Sequence, residues 1–156
     1  MATTESDITE AENLRERYRI EREKRLRPDG HTQYLEPTGR FAHLLEDPYS
    51  SHDPRETFTG EVTVAIIGGG FAGLSAGARL KEAGINDVML IESGGDVGGV
   101  WYWNRYPGAM CDTAAMVYLP LLEETNYFPS KKYVQGYEIH AHAQRIATTF
   151  GLYDNA

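Results

Sequence analysis

Three glycines at fixed spacing, Gly68, Gly70 and Gly73, form a G-x-G-x-x-G pattern near the middle of the chain. Such a pattern makes a tight turn whose backbone approaches a pyrophosphate, while the helix that follows directs its positive end at the phosphates. Glu92 ends the next apolar run, where a carboxylate accepts hydrogen bonds from ribose hydroxyls. Because this carboxylate would repel the 2′-phosphate of NADP, the pattern predicts a turn that binds FAD or NAD.

Each position of the turn has its own physical role. Gly68 permits the tight turn, and Gly70 lets the backbone come close to the pyrophosphate. Gly73 lets the helix and the strand pack closely together. Phe71 and Ala72 stand between these glycines, and we expect them to contact the cofactor as well.

The elements around the turn predict the fold. Residues 62–67 are a β-branched run typical of a buried strand, and residues 72–83 follow as a helix that stops at Gly84. Residues 88–91 form a second short apolar strand. This order predicts a βαβ unit with a right-handed crossover. The predicted fold class is α/β: an incomplete Rossmann-like unit for FAD with an N-terminal helical and extended arm.

The N-terminal part has a different character. Residues 9–27 predict a charged helix, interpreted as solvated with a narrow docking stripe; a partner-binding helix is the alternative. Residues 31–60 carry scattered Pro and Gly, which predicts an extended arm across the following domain, with one short helix around 40–46. We therefore divide the chain into an arm, residues 1–60, and a nucleotide-binding part, residues 61–156.

An aromatic, glycine-rich stretch, GGDVGGVWYWNRYPGAMCD, occupies residues 94–112 and is too broken to predict a helix or a strand. From Gly98 to Asp112 it resembles the class B flavoprotein monooxygenases, in particular the Baeyer–Villiger monooxygenases. It matches every fixed position of their pattern GGxWxxNRYPGxxCD. The segments RERYRIEREKRLRPDG and PLLEETNYFPSKKYVQGYEI also resemble the longer members of that family.

This resemblance implies FAD at the turn and NADPH as the reductant. Glycines in the stretch would allow close approach to the flavin, and aromatic rings would pack against it. The residues implied along the flavin are Gly99, Val100, Trp101, Tyr102, Trp103, Asp112, Thr113 and Tyr118. The residues implied where the nicotinamide arrives are Met110, Cys111 and Asp112.

The resemblance also implies a catalytic role for Asp112. In the family, an aspartate at this position holds an arginine that stabilises a negatively charged peroxyflavin, an electrostatic role of the oxyanion-hole type. Without the resemblance, Asp112 would be interpreted as a helix or turn cap. Many members continue with Ile-Glu-Ser, whereas this chain has Thr113, Ala114 and Ala115, so side-chain contacts just after Asp112 differ.

The implied activity is oxygenation of a ketone to an ester or lactone by NADPH and O₂ through a C4a-peroxyflavin. Two alternatives stay open. One is a related flavin enzyme that oxygenates nitrogen or sulfur. The other is a non-catalytic FAD-binding module completed by a second polypeptide.

Several parts of the family's enzymes have no counterpart in the sequence: a second G-x-G-x-x-G for NADPH, the linker fingerprint and the catalytic arginine. We therefore expect an N-terminal FAD-binding portion whose partner is the remainder of the enzyme. By itself it is expected to bind FAD weakly and to show no oxygenation.

Composition excludes other classes of function. The net charge of −8 disfavours nucleic-acid binding. No apolar run approaches the ~18 residues of a membrane span, and the N-terminus does not resemble a secretory signal. One cysteine, Cys111, excludes an intrachain disulfide and makes a reducing cytoplasm the expected location. We expect Cys111 to pack near the cofactor and not to act as a nucleophile. His140 and His142 would face different directions on a helix, so we expect surface histidines and no metal site.

Overall fold

The computed structural model describes residues 5–50 and 59–155, and the chain divides into two compact units. The first unit ends at Glu46 and the second begins at Asp47. The predicted boundary at residue 60 follows residues 51–58, which lie outside the described residues. That boundary and the predicted path of the arm across the domain therefore stay predictions.

Helices make up the regular structure of the first unit. Helix α1 spans Glu5–Glu23, and two 3₁₀ helices follow at Gly30–Gln33 and Gly39–Leu45. The second of these confirms the short helix predicted around residues 40–46.

Helix α1 confirms the predicted charged helix, although its end differs. Arg19 donates to Glu16 and Glu23 at 2.6 Å each, as oppositely charged side chains one turn apart do. The helix was predicted to reach residue 27 but ends at Glu23, where the chain tightens into a turn and the Arg25 N–H donates to the Arg22 carbonyl at 3.0 Å.

Two parallel strands form the sheet of the second unit. Strand β1 spans Val64–Ile67 and strand β2 spans Val88–Ile91, and helix α2 at Phe71–Glu82 connects them. The register pairs the first residues of the two strands with each other and the last residues with each other. This arrangement confirms the predicted βαβ unit.

Strand β1 is shorter than the run of residues 62–67 that predicted it. Asp87 explains the difference, because its carboxylate accepts hydrogen bonds from the backbone N–H and the hydroxyl of Thr63 at 2.7 and 2.8 Å. Thr63 is thus held by a side chain before the ladder begins at Val64.

Four shorter or later elements complete the second unit. They are helix α3 at Val100–Trp103, helix α4 at Ala115–Tyr118, helix α5 at Gly136–Thr149 and a 3₁₀ helix at Tyr153–Asn155. Helix α5 confirms the helix predicted over residues 137–150.

The stretch at residues 94–112 was predicted to be neither helix nor strand. This prediction is wrong for Val100–Trp103, which form one helical turn. Gly99 has a φ of 56°, which turns the chain so that the next four residues close helix α3. None of these four is Gly or Pro, and the Asn104 N–H donates to the Val100 carbonyl at 2.9 Å. Met110 also forms an isolated antiparallel bridge with Gln135.

Helix α2 packs against both strands and against helix α5, and residues of these elements form the main core. Its buried members are Leu74, Ala78, Leu90, Val97, Leu121, Ala143, Ile146, Ala147 and Leu152. A second buried cluster, formed by Cys111, Ala115, Leu119, Val134 and Ile139, lies beside it in the segment after α3. Burying these apolar side chains supplies the main driving force for this packing.

The opposite face of the sheet is exposed in the described part of the chain. Ala65 and Ile91 are exposed, and 88% of Ile67 is accessible to solvent. Parallel sheets are normally covered on both faces. We call the residues Ala65, Ile67 and Ile91 the open sheet face.

Candidate functional site

The glycine turn between β1 and α2 has geometry that only glycine allows. Gly68 has a φ of 99°, in the left-handed region that side chains rarely adopt. A Cβ on Gly73 would lie 2.0 Å from the Gly68 carbonyl oxygen. Helix α2 therefore packs directly against the turn, and both glycines are sterically required.

The N-terminus of helix α2 has the features of an anion site. No side chain forms a capping hydrogen bond there. The N–H groups of the first turn of any helix lack intrahelical partners and carry its positive dipole end. Gly70 leaves room above the turn, since the nearest atom to a Cβ placed there is the Gly99 Cα at 3.6 Å. These residues fit a pyrophosphate.

Glu92 joins the turn to the segment that follows β2. Its Oε2 accepts from the Gly69 N–H at 2.5 Å, and its Oε1 accepts from the Gly94 N–H at 2.9 Å. The carboxylate thus lies at the turn, where the sequence pattern predicts it. Its contact with a ribose stays a prediction.

Helix α3 begins at the glycine turn itself. The Gly98 N–H donates to the Gly69 carbonyl at 2.9 Å. A Cβ on Gly99 would lie 2.9 Å from the Gly70 Cα, so the two backbones touch. The aromatic stretch and the turn, which the sequence suggested separately, are therefore one continuous structure.

Three of the predicted cofactor residues come together beside this junction. The Trp101 Nε1–H donates to the Tyr118 hydroxyl at 2.7 Å, and their rings meet edge to face at 5.9 Å. Phe71 meets the same Tyr118 ring at 5.9 Å, also edge to face. The first residue of α2 and the aromatic helix thus share one partner.

The other residues of α3 have different surroundings. Tyr102 is buried, with 2% of its surface accessible, and its ring contacts Trp103 and His140 edge to face. Val100 is 63% exposed. The four side chains of this helix therefore do not form one common surface.

The segment around Asp112 pairs with a later part of the chain. Cys111 is buried, and its N–H donates to the Val134 carbonyl at 3.2 Å, while the Thr113 N–H donates to its Sγ at 3.4 Å. Met110 and Asp112 are exposed. Across residues 5–50 and 59–155, no basic side chain forms an ion pair with the Asp112 carboxylate.

Comparisons with known proteins agree with this geometry. A family model described as an NAD(P)-binding Rossmann-like domain matches residues 66–134. A Baeyer-Villiger monooxygenase of Streptomyces coelicolor is 55% identical over 141 residues, which make up 90% of this chain and 23% of that protein. The chain belongs to the Baeyer–Villiger monooxygenase family. It spans about a quarter of the length of the curated relatives it matches.

Solved structures of the Baeyer–Villiger family show the same arrangement. The polycyclic ketone monooxygenase of Thermothelomyces thermophila matches with a TM-score of 0.76 and 37% identity, over 95% of this chain and 25% of that one. OTEMO, solved in complex with FAD and NADP, matches with a TM-score of 0.55 and 29% identity over 63% of this chain and 19% of that one. The predicted Rossmann-like fold class is thereby confirmed.

The prediction of surface histidines is wrong in this Baeyer–Villiger chain. Only 1% of His142 is accessible, and its Nε2 bonds to the Pro120 carbonyl at 2.7 Å while its Nδ1 has no partner among the described residues. Burial lowers the pKa of His142, more than the bond to Pro120 raises it. His140 is half-buried, with its Nε2 2.9 Å from the Val97 carbonyl.

The spacing of residues along helix α5 could have predicted that His142 is buried. This histidine follows Ile139 by three residues and precedes Ile146 by four, so it shares their face of helix α5. A helical projection of those positions would have placed it inside.

Asp96 is half-buried and joins several hydrogen bonds that the sequence did not suggest. Its carboxylate accepts from the Gln144 side chain and from the Tyr153 hydroxyl, each at 2.7 Å. Burial raises the pKa of Asp96, but the hydrogen bonds outweigh burial and leave it below its usual value. Burial and the same carboxylate raise the pKa of Tyr153. Asp96 thus fastens the stretch before α3 to α5 and the 3₁₀ helix after it.

The described residues offer neither a membrane span nor a metal site. None of the helices there is long and apolar enough to cross a membrane. In the same residues, His, Cys, Asp and Glu form no group of three that could hold a metal ion.

Proposed function

We propose that this chain supplies the FAD-binding turn and the flavin-side loop of a Baeyer–Villiger monooxygenase. In the proposed reaction a ketone, O₂, NADPH and a proton give an ester or lactone, water and NADP⁺. The observation that carries the proposal is the contact between Gly70 and Gly99, which joins a phosphate-binding turn to an aromatic helix. A nicotinamide dehydrogenase has no need of that aromatic helix beside its turn.

The chain would divide the cofactor between two regions. The uncapped amides at Gly70, Phe71 and Ala72 would bind the pyrophosphate, and Glu92 would accept from the adenosine ribose. Trp101 would pack along the flavin. When bound, FAD would carry two electrons from NADPH to O₂.

The further flavin contacts stay proposals of the same kind. The segment that would approach the flavin from α3 and α4 comprises Gly99, Val100, Tyr102, Trp103, Thr113 and Tyr118. Gly68 and Gly73 would act by shaping the turn, since both are sterically required there.

Asp112 is the residue that we propose for chemistry. Its carboxylate is exposed next to the buried Cys111, so it is accessible to a cation supplied by the rest of the enzyme. Holding an arginine beside the flavin would stabilise negative charge that develops during oxygenation. Met110 is exposed on the same segment and would face the incoming nicotinamide of NADPH, whereas Cys111 would serve packing.

The missing partner in this proposal is the remainder of the enzyme. The open sheet face, with Ile67 at 88% exposure, is apolar surface of the kind that α/β proteins cover. The matched relatives are about four times longer than the part aligned here. We propose that further polypeptide covers this face, and that the enzyme works in the cytoplasm, where a single unpaired cysteine is stable.

The direct test titrates the purified chain with FAD and with ADP. We expect saturable binding of both. Gly70→Ala should weaken both by about tenfold or more, since a methyl group would occupy the pyrophosphate's approach. The added Cβ meets nothing closer than 3.6 Å, so the unfolding midpoint should stay unchanged. Glu82→Ala, at the other end of α2, is the matched control and should bind both ligands normally.

A chimera tests the whole reaction. The chain replaces the aligned quarter of the Streptomyces coelicolor relative, and FAD content and ketone-dependent NADPH consumption are measured. We expect bound FAD and ester formation, and Asp112→Ala should keep FAD but lose ester formation. A folded chimera without FAD would overturn the proposal. Oxygenation of amines or sulfides without ester formation would replace ketones as the substrate.

A further inference from the structure

We propose that Asp47 is a positioning residue for the flavin-side half of the site. It would hold helix α3, and the segment after β2, in the arrangement that places Trp101 against Tyr118. This inference rests on the proposed function, because it concerns how the same site holds FAD. Nothing in the sequence around Asp47 suggested a role at the site.

The Asp47 carboxylate is buried and joins distant parts of the chain. Its Oδ2 accepts from the Tyr102 hydroxyl at 2.5 Å and from the Gly95 N–H at 2.8 Å. The same oxygen accepts from the Ser50 hydroxyl at 3.0 Å, and Oδ1 accepts from the Tyr49 N–H at 2.8 Å. Only 8% of Asp47 is accessible. One side chain thus fixes its own turn, the segment after β2 and helix α3.

The contact at Gly95 is close enough to require glycine. A Cβ there would lie 2.3 Å from the Ser50 Cβ and 2.9 Å from the Tyr102 hydroxyl oxygen. The Gly95 N–H also reaches that hydroxyl at 3.0 Å. The turn formed by residues 47–50 therefore lies directly on the chain that leads into α3.

Arg105 completes the cluster just after α3. Its guanidinium lies over the Tyr49 ring at 4.1 Å and over the Tyr102 ring at 4.5 Å. Its Nε–H donates to the Tyr102 carbonyl at 2.8 Å. Cation–π contacts of this kind orient the two rings. The Tyr102 side chain is thus held at its hydroxyl by Asp47 and at its ring face by Arg105.

Two carboxylates, Glu92 and Asp47, bind the backbone of neighbouring glycines and each supports a different half of the site. Glu92 accepts from the Gly94 N–H and from the turn, whereas Asp47 accepts from the Gly95 N–H and from α3. The ADP half of FAD would depend on the first carboxylate and the flavin half on the second. Removing the charge of Asp47 should therefore separate the two halves in a binding experiment.

The experiment compares the affinities of the 156-residue chain for FAD and for ADP. Asp47→Asn keeps the size of the side chain but removes the charge that strengthens the bond to Tyr102. We expect FAD affinity to fall about tenfold, the scale of one charge-assisted hydrogen bond, while ADP affinity stays within about twofold. Asp47→Glu should restore part of the FAD affinity, since it keeps the charge.

Asp87→Asn is the matched control. Asp87 also accepts a backbone N–H and a hydroxyl, both from Thr63, but it lies at the opposite end of the strands from the site. Asp87 is exposed. Any loss that comes simply from removing a carboxylate that holds a backbone N–H and a hydroxyl should appear there too. We expect no difference between its FAD and ADP affinities.

The outcomes separate the two proposals. If the unsubstituted chain binds neither FAD nor ADP, the proposed function fails. If it binds both, and Asp47→Asn weakens neither or weakens both equally, the positioning role is overturned. Tryptophan fluorescence without ligand gives a second check, since loosening of α3 should shift the emission to longer wavelength in Asp47→Asn and in Tyr102→Phe. Unchanged emission in both variants would also contradict the inference.

Discussion

The glycine turn and the aromatic helix α3 are neighbours in space but are built on different principles. The turn depends on backbone geometry within one short segment, where a positive φ at Gly68 and the close packing of Gly73 leave no room for side chains. Helix α3 is a single turn, shorter than any helix that is stable by itself. Its position depends on contacts with residues far away in the chain, Asp47 and Tyr118.

This difference separates what local sequence encodes from what only tertiary packing supplies. A turn made of glycines is specified by the residues that form it. A short aromatic helix is specified by its partners, so changes at distant positions should move it. The predictions below test that division, beginning with the largest expected effect.

Breaking the turn should cost the most. Gly73→Ala would place a Cβ 2.0 Å from the Gly68 carbonyl oxygen, and backbone must move to relieve the clash. We expect the free energy of unfolding to fall by about 3 kcal/mol, at the upper end for overpacked sites. An unconstrained glycine inside a helix would instead gain about 1 kcal/mol on the same substitution. Chemical denaturation followed by circular dichroism measures the sign and size.

Gly77→Ala, one turn further along α2, is the control for this prediction. The closest atom to its Cβ would be a terminal methyl of Leu152 at 2.9 Å, and a side-chain end can move aside. We expect a clearly smaller loss than for Gly73→Ala. Equal losses at the two positions would contradict the special role of the turn.

The free energy of unfolding should depend on pH through the buried His142. His142 contacts the rings of Phe71 and Tyr127, and its pKa is lowered chiefly by burial, with the nearby charge of Arg145 adding to the effect. A lowered folded-state pKa means that stability is complete above the unfolded value of 6.5 and falls as the pH drops below it. One titrating group can contribute a slope of at most about 1.4 kcal/mol per pH unit, so we expect a positive slope below that ceiling.

Unfolding measured between neutral and mildly acidic pH tests this expectation. His142→Phe should remove the slope because the ring stays but the titrating nitrogens do not. His31→Gln, at an exposed histidine of the first unit, should leave the slope unchanged. A slope that survives in His142→Phe would assign the acid sensitivity to other groups.

The smallest expected effect concerns the aromatic helix alone. Tyr118→Phe removes the acceptor for the Trp101 Nε1–H and keeps the ring contacts with Trp101 and Phe71. We expect a loss of about 1 kcal/mol in the free energy of unfolding, typical of one hydrogen bond. FAD affinity should fall more than ADP affinity, as for Asp47→Asn. Equal losses for the two ligands would mean that Tyr118 serves the turn as much as the helix.

Much of the fold could be predicted because its signals are local. Strand β2 has the predicted bounds, and helices α2 and α5 lie within one residue of theirs, since apolar periodicity and glycine stops lie within each element. The glycine turn and Glu92, directly after β2, were likewise predicted from the spacing of residues along the sequence. The resemblance to Baeyer–Villiger monooxygenases came from a contiguous motif.

The rest could not be predicted because its causes are distant in the chain. Asp47 and Tyr102 are separated by 55 residues, and no local pattern pairs them. Helix α3 exists because Gly99 turns the chain against Gly70, a contact invisible in either segment alone. The burial of His142 depends on the Pro120 carbonyl, which accepts the bond that makes burial tolerable.

The buried Cys111 can be used to measure local opening of the structure. Only 7% of Cys111 is accessible, and the residue lies in the pairing of residues 109–115 with residues 132–136. We therefore expect a thiol reagent to reach it only when that pairing opens. The labelling rate therefore reports the free energy of local opening next to Asp112. Because Cys111 is the only cysteine in the sequence, every labelled molecule records the same event. Protection of this thiol by FAD would measure how strongly a cofactor closes the structure around the segment that carries Asp112.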